Sequence, residues 1–200
     1  MKHSAFTLIE MLISISIFMI FIAILGGSYT SLVRANRTAN EAQKTYREVR
    51  FVFDTLASEI RGGRLDYSCI DMSGLDVLCL DNQTAGEKKV LGILRNGGLS
   101  RTLFKFMDKK ILVLSQTRAA LLAPWATTRD WQPLTTEELN IDTAYFTVFP
   151  LRDPYASSNA LDNEVQWQPT VSIFISTGGH HFRTTYALRA YGNNAIFNFQ

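Results

Sequence analysis

Strong charge, histidine and cysteine are all scarce in this 200-residue chain, and each shortage removes a class of function. The formal net charge is only +2. Nucleic-acid domains usually cluster Lys and Arg into a strongly basic patch, and the nearest approach here is Arg61 and Arg64 with Lys88 and Lys89 further on, which read as a solvated face. Three histidines occur, and the only adjacent pair is His180-His181. Neighbours on a strand point to opposite faces, so these two do not converge on one metal. Gly-x-Ser-x-Gly, a phosphate-binding loop and a dinucleotide fingerprint are all missing, which leaves an enzyme without its usual motifs. No internal repeat or low-complexity tract is evident, and neither a metal nor another cofactor is expected.

Charge is scarcest at the start. A short leader with Lys2 runs to Ala5 and is followed by Phe6-Thr7-Leu8-Ile9-Glu10-Met11-Leu12, then by an uncharged stretch to Val33. Roughly 20 apolar residues cross a bilayer, so Met11 to Val33 is long enough to span one. A secretory signal would need a small-residue Ala-x-Ala site, which Ala23-Ile24-Leu25 before Gly26 does not supply. Glu10 is the exception inside this stretch. An ionised group on a membrane helix is costly without a partner, so it reads as functional.

This segment resembles the processing site of type IV prepilins and type II secretion pseudopilins, whose pattern is Gly, then Phe-Thr-Leu-Ile/Leu-Glu, then an apolar helix. Ala5 stands where the family has glycine. The resemblance implies removal of residues 1 to 5 by a membrane prepilin peptidase, with cleavage between Ala5 and Phe6 and N-methylation of Phe6. It further implies that Glu10 meets the terminal ammonium of a neighbouring subunit during assembly. A buried carboxylate and ammonium can select register and partner even where the pair adds little net stability. The implied partners are sister pilins or pseudopilins, the prepilin peptidase, an inner-membrane assembly platform and a secreted cargo. The implied location is the inner membrane, as a single-pass protein with its globular part on the periplasmic side, and a filament after assembly.

Beyond Val33, roughly 165 residues remain, enough for one domain with its own core. Tyr46, Val49, Phe53, Leu56 and Ile60 recur at spacings of three and four, which predicts an amphipathic helix with Lys44, Arg47, Glu48, Arg50, Asp54 and Glu59 facing out. Gly62-Gly63, free to take positive φ, marks its end. The helix from Phe6 to about Arg61 would be about 80 Å long, with Gly26-Gly27 able to loosen it. After Gly63 the pattern becomes short apolar runs. Leu75 to Leu80, Lys89 to Leu94, Thr102 to Met107, Ile111 to Ser115, Ala144 to Phe149, Thr170 to Ser176 and Arg183 to Ala190 read as strands. Asn96-Gly97-Gly98, Asp108-Lys109-Lys110 and Gly178-Gly179 read as turns. Arg118 to Leu139 reads as a loop draped over the sheet, and Asp153 to Asn163 as an exposed loop.

The expected organisation is a leader at 1–5, a transmembrane and assembly half-helix at 6–33, an amphipathic half-helix at 34–61 and a β-rich globular domain at 62–200. The fold class is α+β, with the long helix packed against an antiparallel sheet, which is also the pilin layout. Cys69 and Cys79 are the only cysteines. Either they form a disulfide, with Ser73-Gly74 turning the chain between them, or they are two free buried thiols. Asp66, Asp71, Asp76 and Asp81 recur every five residues without the dense spacing of a calcium loop.

Size and long loops favour a minor over a major subunit, and the layout is similar to the large J-type pseudopilins. Trp131-Gln132-Pro133-Leu134-Thr135, followed by Asn140-Ile141, is similar to the stretch before a core strand in such subunits. Two other readings remain open. One is a DNA-uptake or adhesive minor pilin using Arg118, Trp125, Arg129 and Trp131. The other is a membrane-anchored binding domain that never polymerises.

Overall fold

In a computed structural model of the chain, the described residues are 7–70, 78–79, 87–137, 139–154 and 168–188. Helix α1 runs unbroken from Leu8–Gly62. Eight strands follow: β1 (Arg64–Leu65), β2 (Val90–Arg95), β3 (Ser100–Met107), β4 (Lys110–Thr117), β5 (Ala126–Pro133), β6 (Thr143–Phe149), β7 (Thr170–Thr177) and β8 (His180–Ala187), with the single-turn helix α2 (Tyr67–Ile70) between β1 and β2. The chain divides into two compact units, Met1–Tyr46 and Arg47–Gln200.

In the second unit the strands form two antiparallel sheets rather than the one expected, a five-stranded β1-β2-β3-β4-β5 meander and a three-stranded β6-β7-β8 meander. A pair of 2.7 Å backbone bonds between Lys88 and Phe146 links the segment before β2 to β6. The split follows from the apolar faces. Leu91, Ile93, Phe104 and Ile111 from the larger sheet, and Phe146, Val148, Val171 and Ile173 from the smaller, enter one core with Val49, Val52, Leu56 and Ile60 of α1. A single helix stripe is thereby enclosed from both sheets, each buried side chain contributing about 2 kcal/mol of apolar transfer. Tyr46, expected in that stripe, is 56% exposed, so the buried face begins at Val49.

The helix ends at the expected place for a different reason. Neither Gly62 nor Gly63 has positive φ. What Gly63 provides is closeness, because a Cβ there would lie 2.3 Å from Ile93 Cγ2 and 2.9 Å from the Leu94 carbonyl oxygen. Gly26 and Gly27 have open space around them, and α1 continues through both. Positive φ occurs instead in the hairpin turns, at Asn96, Gly97 and Gly98, at Asp108 and Lys109, and at Gly178 and Gly179. The two-residue Asp108-Lys109 and Gly178-Gly179 loops join strands in full register, as primed turns do.

Two stretches depart from expectation. Arg118 to Leu139 contains β5, an edge strand paired with β4 through two register irregularities. Its residues are almost all exposed, so the alternation that marks a half-buried strand is absent from the sequence. Of the run Leu75 to Leu80, only Leu78 and Cys79 are described, and they lie in a 3-10 turn rather than a strand. The final strand starts at His180 rather than Arg183 and ends at Ala187; Arg189 and Ala190 lie outside the described residues, as does most of the loop after Pro154.

Cys69 and Cys79 form a disulfide, with Cα atoms 5.3 Å apart. Both are buried with Val90, Leu103 and Leu114, against half-buried Leu78 and Trp131, on the face of the larger sheet away from α1. Replacing both by alanine is expected to cost about 2 to 3 kcal/mol from the loop-closure entropy returned to the unfolded chain. The expected fall in Tm is about 4 to 12 °C for a unit of this size. Thermal unfolding of the protein with and without reductant, compared with the double variant, checks this: the reductant should lower the wild-type value and leave the variant unchanged.

Candidate functional site

The first turn of α1 is a reciprocal cap. The Glu10 carboxylate accepts hydrogen bonds from the Thr7 backbone N–H and from the Thr7 hydroxyl, both at 2.9 Å and both on Oε2, while the Glu10 N–H donates to Thr7 Oγ1 at 3.4 Å. Two donors that a helix end would otherwise leave unsatisfied are met by residues three apart. The signal was present in the sequence as Thr7-x-x-Glu10 before an apolar run, and the reading of Glu10 as an assembly residue passed over it. Both bonds use one oxygen, and the second takes no part in the cap.

From Leu8 to Leu32 every residue on the helix is exposed, including Phe18 at 62%, Ile20 at 62% and Tyr29 at 68%. An apolar helix with all sides uncovered is a membrane span or a helix awaiting partners. This segment is long and apolar enough to cross a membrane. Three of its hydroxyls are turned inward on the backbone: Ser16 donates to the Leu12 carbonyl at 2.9 Å, Ser28 to Ile24 at 3.0 Å and Thr30 to Gly27 at 2.9 Å. Ala5 and Phe6, the expected cleavage site, lie outside the described residues.

The other candidate residues are scattered. Of the four residues considered for a nucleic-acid patch, only two meet. Trp125 has two guanidinium groups against its ring, with Arg101 at 4.6 Å and Arg118 at 4.3 Å from the ring centroid. Trp131 packs on the disulfide cluster. Arg129 is paired with Ser115 and so shares the face of Thr102 and Phe104, opposite Arg101. The charges expected to be a solvated face are also engaged: Lys88 is buried, Arg64 pairs with Asp153 at 2.8 Å, and Arg61 lies over the Tyr186 ring at 5.4 Å.

His180 and His181 pair with Thr177 and Ser176 in register, and the His181 ring stacks on Phe174 at 5.9 Å. Of the acidic series, Asp66 is buried and holds Arg101; Asp71, Asp76 and Asp81 lie outside the described residues. Among the described residues no three His, Cys, Asp or Glu side chains come together as metal ligands.

Sequence reasoning missed the buried ion pair. Arg101 is 2% exposed, and its Nη1 lies 3.1 Å from Asp66 Oδ2 while its Nε donates to Gln116 Oε1 at 3.0 Å. Gly92 makes room for it, since a Cβ there would be 2.9 Å from Asp66 Cβ. Arg101 and Gln116 stand directly opposite each other on β3 and β4.

No curated protein and no solved structure matches the chain. Residues 1–26 match the family model described as the prokaryotic N-terminal methylation motif. That motif points to a structural subunit, and with the uncovered apolar helix it fits a membrane-anchored protein. With α1 leading into antiparallel sheets, the chain carries the prepilin-type signature at its amino terminus on a pilin-like α+β architecture.

Proposed function

We propose that this protein is a minor pilin or pseudopilin, a filament subunit of a type IV pilus or a type II secretion system. Prepilin peptidase removes residues 1–5 and methylates Phe6. Residues 6–33 hold the subunit in the inner membrane until assembly, with residues 34–61 and 62–200 on the periplasmic side. Sister subunits then replace lipid around the helix, and the platform and motor that drive extrusion are separate proteins. The observation that carries this reading is the uncovered, largely apolar surface from Leu8 to Leu32, in which Glu10 is the only charged residue and which overlaps the methylation motif at residues 1–26.

Glu10 has two roles in this scheme. Before assembly its carboxylate is satisfied by Thr7 of its own chain. During assembly the oxygen left out of the cap accepts the ammonium on Phe6 of a neighbour, which selects the axial register of the incoming subunit.

The intact mass of the membrane-extracted protein, with and without the host's peptidase, tests the scheme. The expected result is loss of residues 1–5 and a gain of about 14 Da on Phe6 for one methyl group, dependent on the peptidase. An uncleaved chain in the peptidase-positive host would leave a plain membrane anchor. Glu10→Ala separates processing from assembly. The variant should still be cleaved and methylated, while its recovery in sheared filament fractions falls about tenfold or more, as expected when a buried charge loses its partner. Normal incorporation would contradict the proposed pairing.

A further inference from the structure

Charge leaves α1 at Glu10 and returns at Arg34, and residues 11–33 carry none. The two are 24 positions apart, about 36 Å along an unbroken helix. A bilayer is about 30 Å thick across its hydrocarbon and about 40 to 45 Å with its headgroup layers. The interval is therefore longer than the hydrocarbon and shorter than the whole bilayer, so an upright helix sets both charges in headgroup layers at once, on opposite sides. An ordinary tilt of about 20° shortens the projection only to about 34 Å. Sliding the helix along its axis by more than a few ångströms drags one of the two charges into hydrocarbon, which membranes penalise.

The Arg34 end has the makings of an anchor. Arg34 and Arg37 are exposed and three residues apart, hence neighbours on the helix surface. Neither side chain has an ion-pair or hydrogen-bond partner among the described residues, and Glu41, one turn beyond Arg37, pairs with neither. Further along, the charges are engaged: Arg50 lies 3.7 Å from Asp54, and Glu48 accepts a hydrogen bond from the Thr136 hydroxyl. Tyr29, 68% exposed, lies eight residues before Arg37 on the same helix face, and its amphipathic ring suits the membrane–water boundary. Arginines flanking a span ordinarily gather on the cytoplasmic side. In the orientation proposed above, these two lie on the other side, so orienting the chain does not account for them.

We infer that, before assembly, Arg34 and Arg37 bind the phosphates of phospholipid headgroups in the leaflet on the side of residues 47–200, and that this grip keeps Glu10 in the headgroup layer of the opposite leaflet. A guanidinium presents paired N–H donors that match two phosphate oxygens. Exposed Leu32 and half-buried Val33, directly before Arg34, make the site continuous with the acyl chains, so the phosphate is that of a lipid. Glu10 then stays within reach of water until the helix is drawn out of the bilayer. The inference rests on residues 6–33 being the membrane half, and adds the depth at which the helix waits and the chemical group that sets it.

The test uses the full chain in vesicles of phosphatidylethanolamine and phosphatidylglycerol in phosphate-free buffer, so that lipid is the sole source of phosphorus. Solid-state NMR recoupling between arginine Cζ and phosphorus is expected to show a close contact in the wild type that is lost in the double variant Arg34→Gln with Arg37→Gln. Absence of the contact in the wild type, or its survival in the double variant, overturns the inference. Depth is read by a membrane-impermeant maleimide on introduced thiols, because the two native cysteines are joined as a disulfide. Leu8→Cys should react from the side opposite residues 47–200 about tenfold or more faster than Ile20→Cys, since a thiol reacts as the hydrated thiolate. Equal protection of both would place Glu10 in hydrocarbon and overturn the inference while leaving the span intact. Ready labelling of Ile20→Cys would instead show that the helix does not cross the bilayer, and the membrane reading falls with the inference. Protection of Ile20→Cys in the double variant shows that loss of the phosphorus contact is not loss of insertion.

Discussion

Arg101→Ala is expected to destabilise the globular unit by about 3 to 5 kcal/mol, because it strands a carboxylate in a buried site. Asp66 is 3% exposed, and it loses the guanidinium 3.1 Å away while retaining, among the described residues, the hydroxyl of Ser68. Gln116 and Trp125 lose a partner in the same step. The expected fall in Tm is about 6 to 20 °C. Arg101→Lys does not restore the loss, because an ammonium cannot bond Asp66 and Gln116 from one plane while stacking on Trp125. Adding Asp66→Asn to the alanine variant should recover part of the loss, since a neutral amide is cheaper to leave buried than a charge. Trp125→Ala should cost only about 1 to 2 kcal/mol, the scale of a partly desolvated cation–π contact. A Tm for Arg101→Ala within about 2 °C of the wild type would show that the pair contributes no more than an exposed one.

Gly63→Ala is the second large effect, at about 3 kcal/mol and about 6 to 12 °C in Tm. The added methyl would sit 2.3 Å from a branch of fully buried Ile93, with backbone oxygens of Leu94 and Glu59 at 2.9 and 3.1 Å. A flexible side chain could move aside, but two of the three obstacles are main chain. Relief requires the end of α1 to separate from β2, which carries much of the core. Gly26→Ala is the matched control, because nothing lies within 4 Å of the new methyl. Ile93→Leu removes the nearest branch, so in combination with Gly63→Ala it should cost less than the sum of the two changes. Additive losses would show that the backbone contacts dominate.

The parts of this fold that depend on period were legible in the sequence, and those that depend on contacts between distant residues were not. Val49, Leu56 and Ile60 repeat at helical spacing because one side of the helix is buried, whereas in β3 the adjacent Leu103 and Phe104 are apolar because both faces of that strand are covered, one by the disulfide cluster and one by the main core. Strand β5 has no buried side and therefore no alternation. The division into two sheets also escaped notice, since a strand's sequence records which of its faces is buried but not which sheet it joins. Gly63 was marked as a helix stop by its type, yet the reason it must be glycine is Ile93, thirty residues later. In the sequence Asp66 stood out only as one of an acidic series, and Arg101 was not singled out at all. At the amino terminus the motif was plain, and the local cap within it was readable from the same four residues.

The inward-turned hydroxyls of Ser16, Ser28 and Thr30 bear on how a helix can change surroundings. A side chain that draws its hydrogen bond from its own helix asks nothing of the medium, be it hydrocarbon or a neighbouring protein. Moving those three groups from one to the other breaks no polar contact and requires none to form. The barrier to extraction from lipid is then set by exchanging one apolar environment for another, which is close to neutral, and by the carboxylate of Glu10. For these three groups, a transfer between lipid and protein in either direction would remake no internal bond.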